Sequence, residues 1–205
     1  MAYRKTPKVQ AQQAAQRQRL LDAATALVAE GGFNAMTIAA TAERAGVATG
    51  TVYKHFTNKG ELCAELFRCA TEVEVEQVRS LVTQDGSAAE RLRAVISNFA
   101  ARALRGQRLA YALIAEPVGA LVEAERLHYR RSYATLFQSL IQEGIDRGEF
   151  AAQDAGISAS ALVGIIAETL VGPLNWHDSR STPQAEHLVP QLQAVCLRAL
   201  GTESN

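Results

Sequence analysis

The stretch Thr37–Phe56, TIAATAERAGVATGTVYKHF, decides how the rest of the chain is read. Its spacing predicts two short helices meeting about a glycine-containing turn, a helix-turn-helix. Ala42 is small where the second helix must cross close to the first, and Gly46 tolerates the positive φ that such a turn needs. Val47 and Val52 fill the angle between the helices. Thr37 is placed to cap the first helix, because its hydroxyl can accept from a backbone N–H that has no partner within the helix. What the second helix presents outward is of another kind. Thr49, Gly50, Thr51, Tyr53, Lys54 and His55 offer hydroxyls, bare backbone, one phenol and two potential cations within a turn and a half. Such groups bond phosphate oxygens and base edges, a threonine methyl can touch a thymine methyl, and none of them builds a core.

Working outward, the apolar positions Leu20, Ala24, Leu27 and Val28 recur at helical steps until Gly31-Gly32 ends the run. On the other side, Asn58 followed by Glu61 reads as a capping box opening a helix whose stripe is Leu62, Leu66, Cys69 and Val73. Further helices are predicted over about 88 to 105, 107 to 116 (ended by Pro117), 120 to 147, 155 to 175 and 184 to 200. With no sustained alternation and no hairpin signal, the fold class is all-α with about nine helices: an N-terminal three-helix helix-turn-helix domain and a C-terminal helical bundle.

The resemblance these residues carry is to the TetR family of transcriptional regulators. The string GVATGTVYKHFTNKGEL (Gly46–Leu62) is similar to that family's signature G-V-x-x-G-x-[LIV]-Y-x-H-F-x-[NS]-K-x-x-L, and the opening helix followed by EGGF and MTI also resembles its pattern. The resemblance implies a DNA-binding domain over residues 1–66 and an effector-binding and dimerisation domain over 67–205. It further implies that Thr37, Tyr53, His55 and Lys59 serve the phosphate backbone while Thr49, Gly50, Thr51 and Lys54 lie at or near base edges. Family members often carry Lys or Arg at the place of Thr49, so Lys54 is the remaining candidate in the helix for a bond to guanine.

For the C-terminal part the family implies a small-molecule effector and a homodimer. Polar or aromatic interruptions of its apolar helices single out Phe99, Arg102, Tyr111, Glu116, His128, Tyr133, Phe137 and Trp176 as candidates for the ligand site, and their composition suits an apolar or aromatic effector. The last two predicted helices carry broad apolar faces. Leu188, Leu192, Val195 and Leu200 run along one, and Ala161, Gly164, Ile165, Ala167 and Gly172 give the other small positions for close approach. A four-helix interface between two copies is expected, since a single helix-turn-helix reads only a half-site. Pro190 is expected to start or kink the last helix.

The 205 residues hold 21 Lys plus Arg and 21 Asp plus Glu, a neutrality that at first argues against nucleic acid. Its distribution reverses that inference. Residues 1 to 60 carry eight basic against three acidic side chains, a balance of +5, and the remainder carries −5 with no lysine. A basic reading head on an acidic body docks by one end, with affinity that falls as salt rises.

Other functions find less support. An all-α enzyme needs a nucleophile with its base, a carboxylate pair or a phosphate loop, and no such spacing occurs. A constitutive DNA-binding or partner-binding helical protein without an effector is the alternative retained. His55, His128, His177 and His187 form no metal-ligand spacing, so neither metal nor cofactor is expected. Cys63, Cys69 and Cys196 read as inert thiols of a reducing compartment, and the start of the chain lacks a signal-peptide apolar run. Ile157–Trp176 approaches membrane-spanning length, but its Glu168, Asn175 and Pro173 favour a buried helix of a soluble protein over a span. A cytoplasmic regulator without a membrane contact is the expectation.

Overall fold

A computed structural model describes residues 6–175 and 185–201. Among these residues there are nine helices and no strand: α1 (Pro7–Ala35), α2 (Ile38–Arg44), α3 (Thr49–Val52), α4 (Lys59–Val82), α5 (Ala88–Arg105), α6 (Gln107–Ile114), α7 (Ala120–Asp146), α8 (Ala155–Leu174) and α9 (Ala185–Ala199).

Caps written in the sequence set the boundaries. Thr37 Oγ1 accepts from Ala40 N at 3.0 Å to open α2, Asn58 Oδ1 from Glu61 N at 2.9 Å to open α4, and Asp154 Oδ1 from Ile157 N at 2.8 Å to open α8. Ser87 and Glu90 form a reciprocal capping box at α5. The first helix breaks where the glycine pair predicted. Gly31 and Gly32 leave helical geometry, Gly32 with φ +74° and ψ −176°, before one further turn to Ala35. Pro190 lies inside α9.

Two apolar clusters form the core. The first gathers Leu20, Leu21 and Val28 of α1 with Val52, Phe56, Leu62 and Leu66, and extends into the body through Ala112, Val122 and Tyr129. The second, among α4, α5, α7, α8 and α9, includes Val78, Leu92, Ile96, Phe137, Ile141, Leu162 and Leu170. Helix α4 serves both and runs unbroken through residue 66, so the reading head and the bundle share one rigid element. Glu74 meets Arg102 and Val82 meets Arg91, which sets α5 antiparallel to α4. Arg68 meets Glu125 and Glu72 meets Tyr129, so α7 runs parallel to α4.

Helix α8 is long and apolar enough to cross a membrane by length and composition, yet only 28% of its most apolar window is buried. It is a two-faced bundle helix rather than the buried one expected from composition. Leu162, Ile166 and Leu170 face the core while Ile157, Ala161, Gly164, Glu168 and Gly172 form an exposed stripe. The leucine stripe of α9 turns the other way. Leu192 and Leu200 are buried in the subunit core and Leu188 packs against it, leaving Val195 outward at 40% exposure.

Candidate functional site

The reading head is built from the turn upward. Gly46 takes φ +66°, its N–H donates to Glu43 O at 3.0 Å, and Val47 N donates to Ala42 O at 3.0 Å. A side chain at Gly46 would meet no atom within 4 Å, so the turn selects glycine for its backbone and not for space. Helix α3 is only four residues long, but Lys54 N donates to Thr51 O, and His55 N and Phe56 N to Val52 O, which keeps the chain curled as far as Phe56. Val52 and Phe56 are buried and hold this short element to α1 and α4. The Arg17 guanidinium lies 5.0 Å over the Phe56 ring and pairs with Glu65 at 2.7 Å.

The face so fixed presents Thr49, Gly50, Tyr53 and Lys54 to solvent, with Thr51 half-buried beside them. Tyr53 is 55% exposed, an aromatic on the outside where its phenol has room for an external partner. Thr37 is exposed at the start of α2. The two remaining candidates already hold the head together. His55 Nε2 lies 3.0 Å from Gln16 Oε1, and Lys59 Nζ donates to Phe33 O at 2.9 Å. An ammonium has three N–H donors, so Lys59 retains capacity for a phosphate.

A cavity of about 400 Å³ opens within the body between α4, α5, α6, α7 and α8. Of the residues singled out by sequence, Phe99, Arg102, Tyr133 and Phe137 line it. Tyr111, Glu116 and His128 do not, and Trp176 lies outside the described residues. Val78, Val95, Phe137 and Ile166 make its apolar end. Phe99 and Tyr133 meet edge-on with centroids 6.0 Å apart, and burial pushes the Tyr133 phenol well above its ordinary pKa, so it stays neutral. Arg102 is held by both oxygens of Glu74 at 2.7–3.0 Å, so its charge is already answered. Arg105 and Arg130 belong to the wall and are exposed, forming a basic rim. Sequence reasoning missed Thr71 and Arg126, and it reads Arg105 and Arg130 as solvated faces, whereas both belong to the lining. Arg126 had a signal: it interrupts the inward stripe Val122, Tyr129, Tyr133 and Phe137 at helical steps.

Glu116 has a different place. Its carboxylate is buried at the joint between body and head, where Oε2 accepts from Phe33 N at 3.1 Å and lies against Gly32. Arg108 of α6 donates to Glu30 O on the same end of α1. The helix that lines the cavity with Leu109, Ala110, Leu113 and Ile114 is thereby tied to the element that carries the head.

Among the described residues no group of three or more His, Cys, Asp or Glu could hold a metal. The three cysteines are free, and burial raises the Cys63 thiol and lifts Cys196 to about 11, which keeps both protonated and unreactive at neutral pH.

Comparison with known proteins agrees with this geometry. The profile described as "Bacterial regulatory proteins, tetR family" matches residues 20–66, and the one described as "Tetracyclin repressor-like, C-terminal domain" matches residues 85–200. The fatty acid metabolism regulator protein of Bacillus subtilis (strain 168) is 26% identical over 155 residues, covering 74% of this chain and 80% of the relative. The HTH-type transcriptional repressor KstR2 of Rhodococcus jostii (strain RHA1) is 24% identical over 193 residues, covering 92% and 93%. The crystal structure of the transcriptional regulator FadR from Bacillus subtilis in complex with stearoyl-CoA superposes with a TM-score of 0.74 at 22% identity, covering 89% of this chain and 98% of that one.

Proposed function

Since the chain belongs to the TetR family of bacterial regulatory proteins and is a ligand-responsive DNA-binding transcriptional regulator, we propose that it is a cytoplasmic repressor whose homodimer holds a two-fold operator until an acyl-coenzyme A thioester fills the cavity. The cavity is the observation that carries the effector assignment. It combines a deep apolar end with an arginine rim, the pattern of a ligand with an apolar tail and an anionic head. The resolved complex of the similar Bacillus regulator with stearoyl-CoA supports the same class.

The wall gives the length of the tail. Along α7 it runs eleven residues from Arg126 to Phe137, about 16 Å at ~1.5 Å per residue. An extended chain of ~1.5 Å bonds advances about 1.3 Å per carbon, so that length takes about 12 carbons.

On the DNA side, Thr49, Gly50, Thr51 and Lys54 are assigned to base edges and Thr37, Tyr53, His55 and Lys59 to phosphates, supported by the exposed face of α3 and the +5 charge of residues 1 to 60. The second copy is assigned to the exposed stripe of α8 with Val195 of α9, where Ala161, Gly164 and Gly172 allow helix backbones to approach closely. Titration of the purified protein with octanoyl-, dodecanoyl- and stearoyl-CoA by isothermal calorimetry tests the effector class. Dodecanoyl-CoA should bind tightest, each methylene removed costing about 0.8 kcal/mol or some fourfold. Affinity that is independent of chain length, or no binding, would defeat the assignment.

A further inference from the structure

Arg126 lines an apolar cavity while only 9% exposed, and its hydrogen bonds go to an unusual place. Nε donates to Leu113 O at 3.0 Å, Nη2 to Ala112 O at 3.3 Å and to Glu116 O at 2.8 Å, and Nη1 to Glu123 Oε2 at 2.7 Å. The three carbonyls belong to the end of α6 and the turn after it, where a helix leaves its last C=O groups without N–H partners. Arg126 thus ties off α6 from across the cavity wall. A guanidinium has five N–H donors, and these four bonds leave one on Nη1. Thr71 of α4, in the same lining, has its Oγ1 buried without a hydrogen-bond partner. The opposite end of the cavity offers Val78, Val95, Phe137 and Ile166. Polar capacity is therefore concentrated away from the apolar end, beside Arg130, one helical turn further along α7 on the rim.

The carbonyl that Arg126 holds most closely belongs to Glu116, the residue whose side chain holds the reading head. Glu116 O accepts from Arg126, Glu116 Oε2 accepts from Phe33 N, and Phe33 O accepts from Lys59 Nζ at the first residue of α4. A short series of contacts, all on named atoms, joins the cavity wall to the helix immediately behind α3.

We propose that Arg126 reads a carbonyl oxygen on the effector and transmits its arrival through Glu116 to the reading head. The acyl oxygen accepts from the remaining Nη1 N–H and draws the guanidinium away from Ala112 O and Glu116 O, which accept from Nη2. The end of α6 loosens, and the grip of the Glu116 carboxylate on Phe33 loosens with it. The tail then lies toward Phe137 and the phosphates over Arg130 and Arg105. This rests on the assignment of the cavity to an acyl-coenzyme A, and adds which atom of that ligand carries the signal. An effector that only fills space binds here without releasing DNA, because a ligand shifts an equilibrium only by its difference in affinity for the two states.

Two ligands differing by one oxygen test this on the wild-type protein: dodecanoyl-CoA and its S-dodecyl thioether. Binding is read by calorimetry, and release by fluorescence anisotropy on an operator selected from random DNA. The thioester should lower operator affinity about tenfold or more, and the thioether, although it binds, less than about threefold. In Glu116→Ala the thioester should still bind, while operator affinity without ligand is already reduced and falls less than about twofold further on its addition. Arg126→Lys, which keeps the charge and loses the fork over the carbonyls, should respond alike to both ligands. Equal release by thioether and thioester in the wild type, or a full ligand response in Glu116→Ala, would overturn the role of Arg126 while leaving the acyl-coenzyme A site standing. Failure of both ligands to bind the wild type would defeat the site assignment and this inference with it.

Discussion

Gly32→Ala bears directly on the joint between body and head. Gly32 is buried, with φ +74° and ψ −176°, a backbone region that side chains other than hydrogen essentially do not occupy. A Cβ built there would lie 2.6 Å from Glu116 Oε2 and 2.9 Å from Oε1. The backbone alone costs about 1–3 kcal/mol. The carboxylate must also withdraw, and losing its charge-assisted bond from Phe33 N costs about 1.5–3 kcal/mol more. The sum, about 2.5–6 kcal/mol, corresponds to a fall of roughly 10 °C in the thermal midpoint for a chain of this size. Circular dichroism melts and urea titrations of Gly32→Ala, Glu116→Ala and the double variant separate the parts. In the Glu116→Ala background the clash is gone and only the backbone cost should remain, a coupling of about 1.5–3 kcal/mol. A loss below about 1 kcal/mol in the wild-type background, or the same loss in both, would refute the packing of Glu116 against Gly32.

Three further outcomes follow from other parts of the molecule. Tyr53→Ala and Thr51→Ala should each weaken operator binding by about 5- to 100-fold in a gel shift while leaving the melting temperature within a degree or two; wild-type binding by both would remove α3 from the interface. Gly164→Arg places a charge on the exposed stripe of α8, where a side chain meets nothing within 4 Å of its own subunit, so analytical ultracentrifugation should find a folded monomer, and a dimer would place the interface elsewhere. Glu61, Glu90 and Glu143 have their carboxyl pKa values lowered, by hydrogen bonds from Thr57 N, Ser87 N and Arg91 respectively. Their contribution to stability is therefore present above about pH 4.5 and lost as acid protonates them, so urea midpoints should be level near neutrality and fall below that pH; a midpoint that rises on acidification would contradict these bonds.

The reading head was legible because its determinants are local. Thr37, Gly46, Val52 and Asn58 each act within a few residues of themselves, as a cap, a turn or a plug, and the structure finds each in that role. The cavity is assembled from five helices, and residues chosen there one at a time divided accordingly. Phe99, Arg102, Tyr133 and Phe137 lie on inward faces, whereas His128 lies on the outward face of α7. Glu116 stands out in the sequence as the one charge in the apolar stretch Leu109–Val122, but its partner, Phe33 N, is 83 residues away and no period reveals it. The apolar stripe of α9 was visible, and which neighbour it faces was not. Packing against α5 within the subunit claims Leu192 and Leu200, which leaves α8 as the outward face.

In the proposed mechanism the cavity and the reading head exchange free energy. Thermodynamic linkage makes this measurable from both sides: the factor by which saturating dodecanoyl-CoA weakens the selected operator must equal the factor by which saturating operator weakens dodecanoyl-CoA. Measuring both on the wild-type protein at one salt concentration should give the same factor twice, about tenfold or larger. Two tight bindings with a factor of one between them would contradict the account.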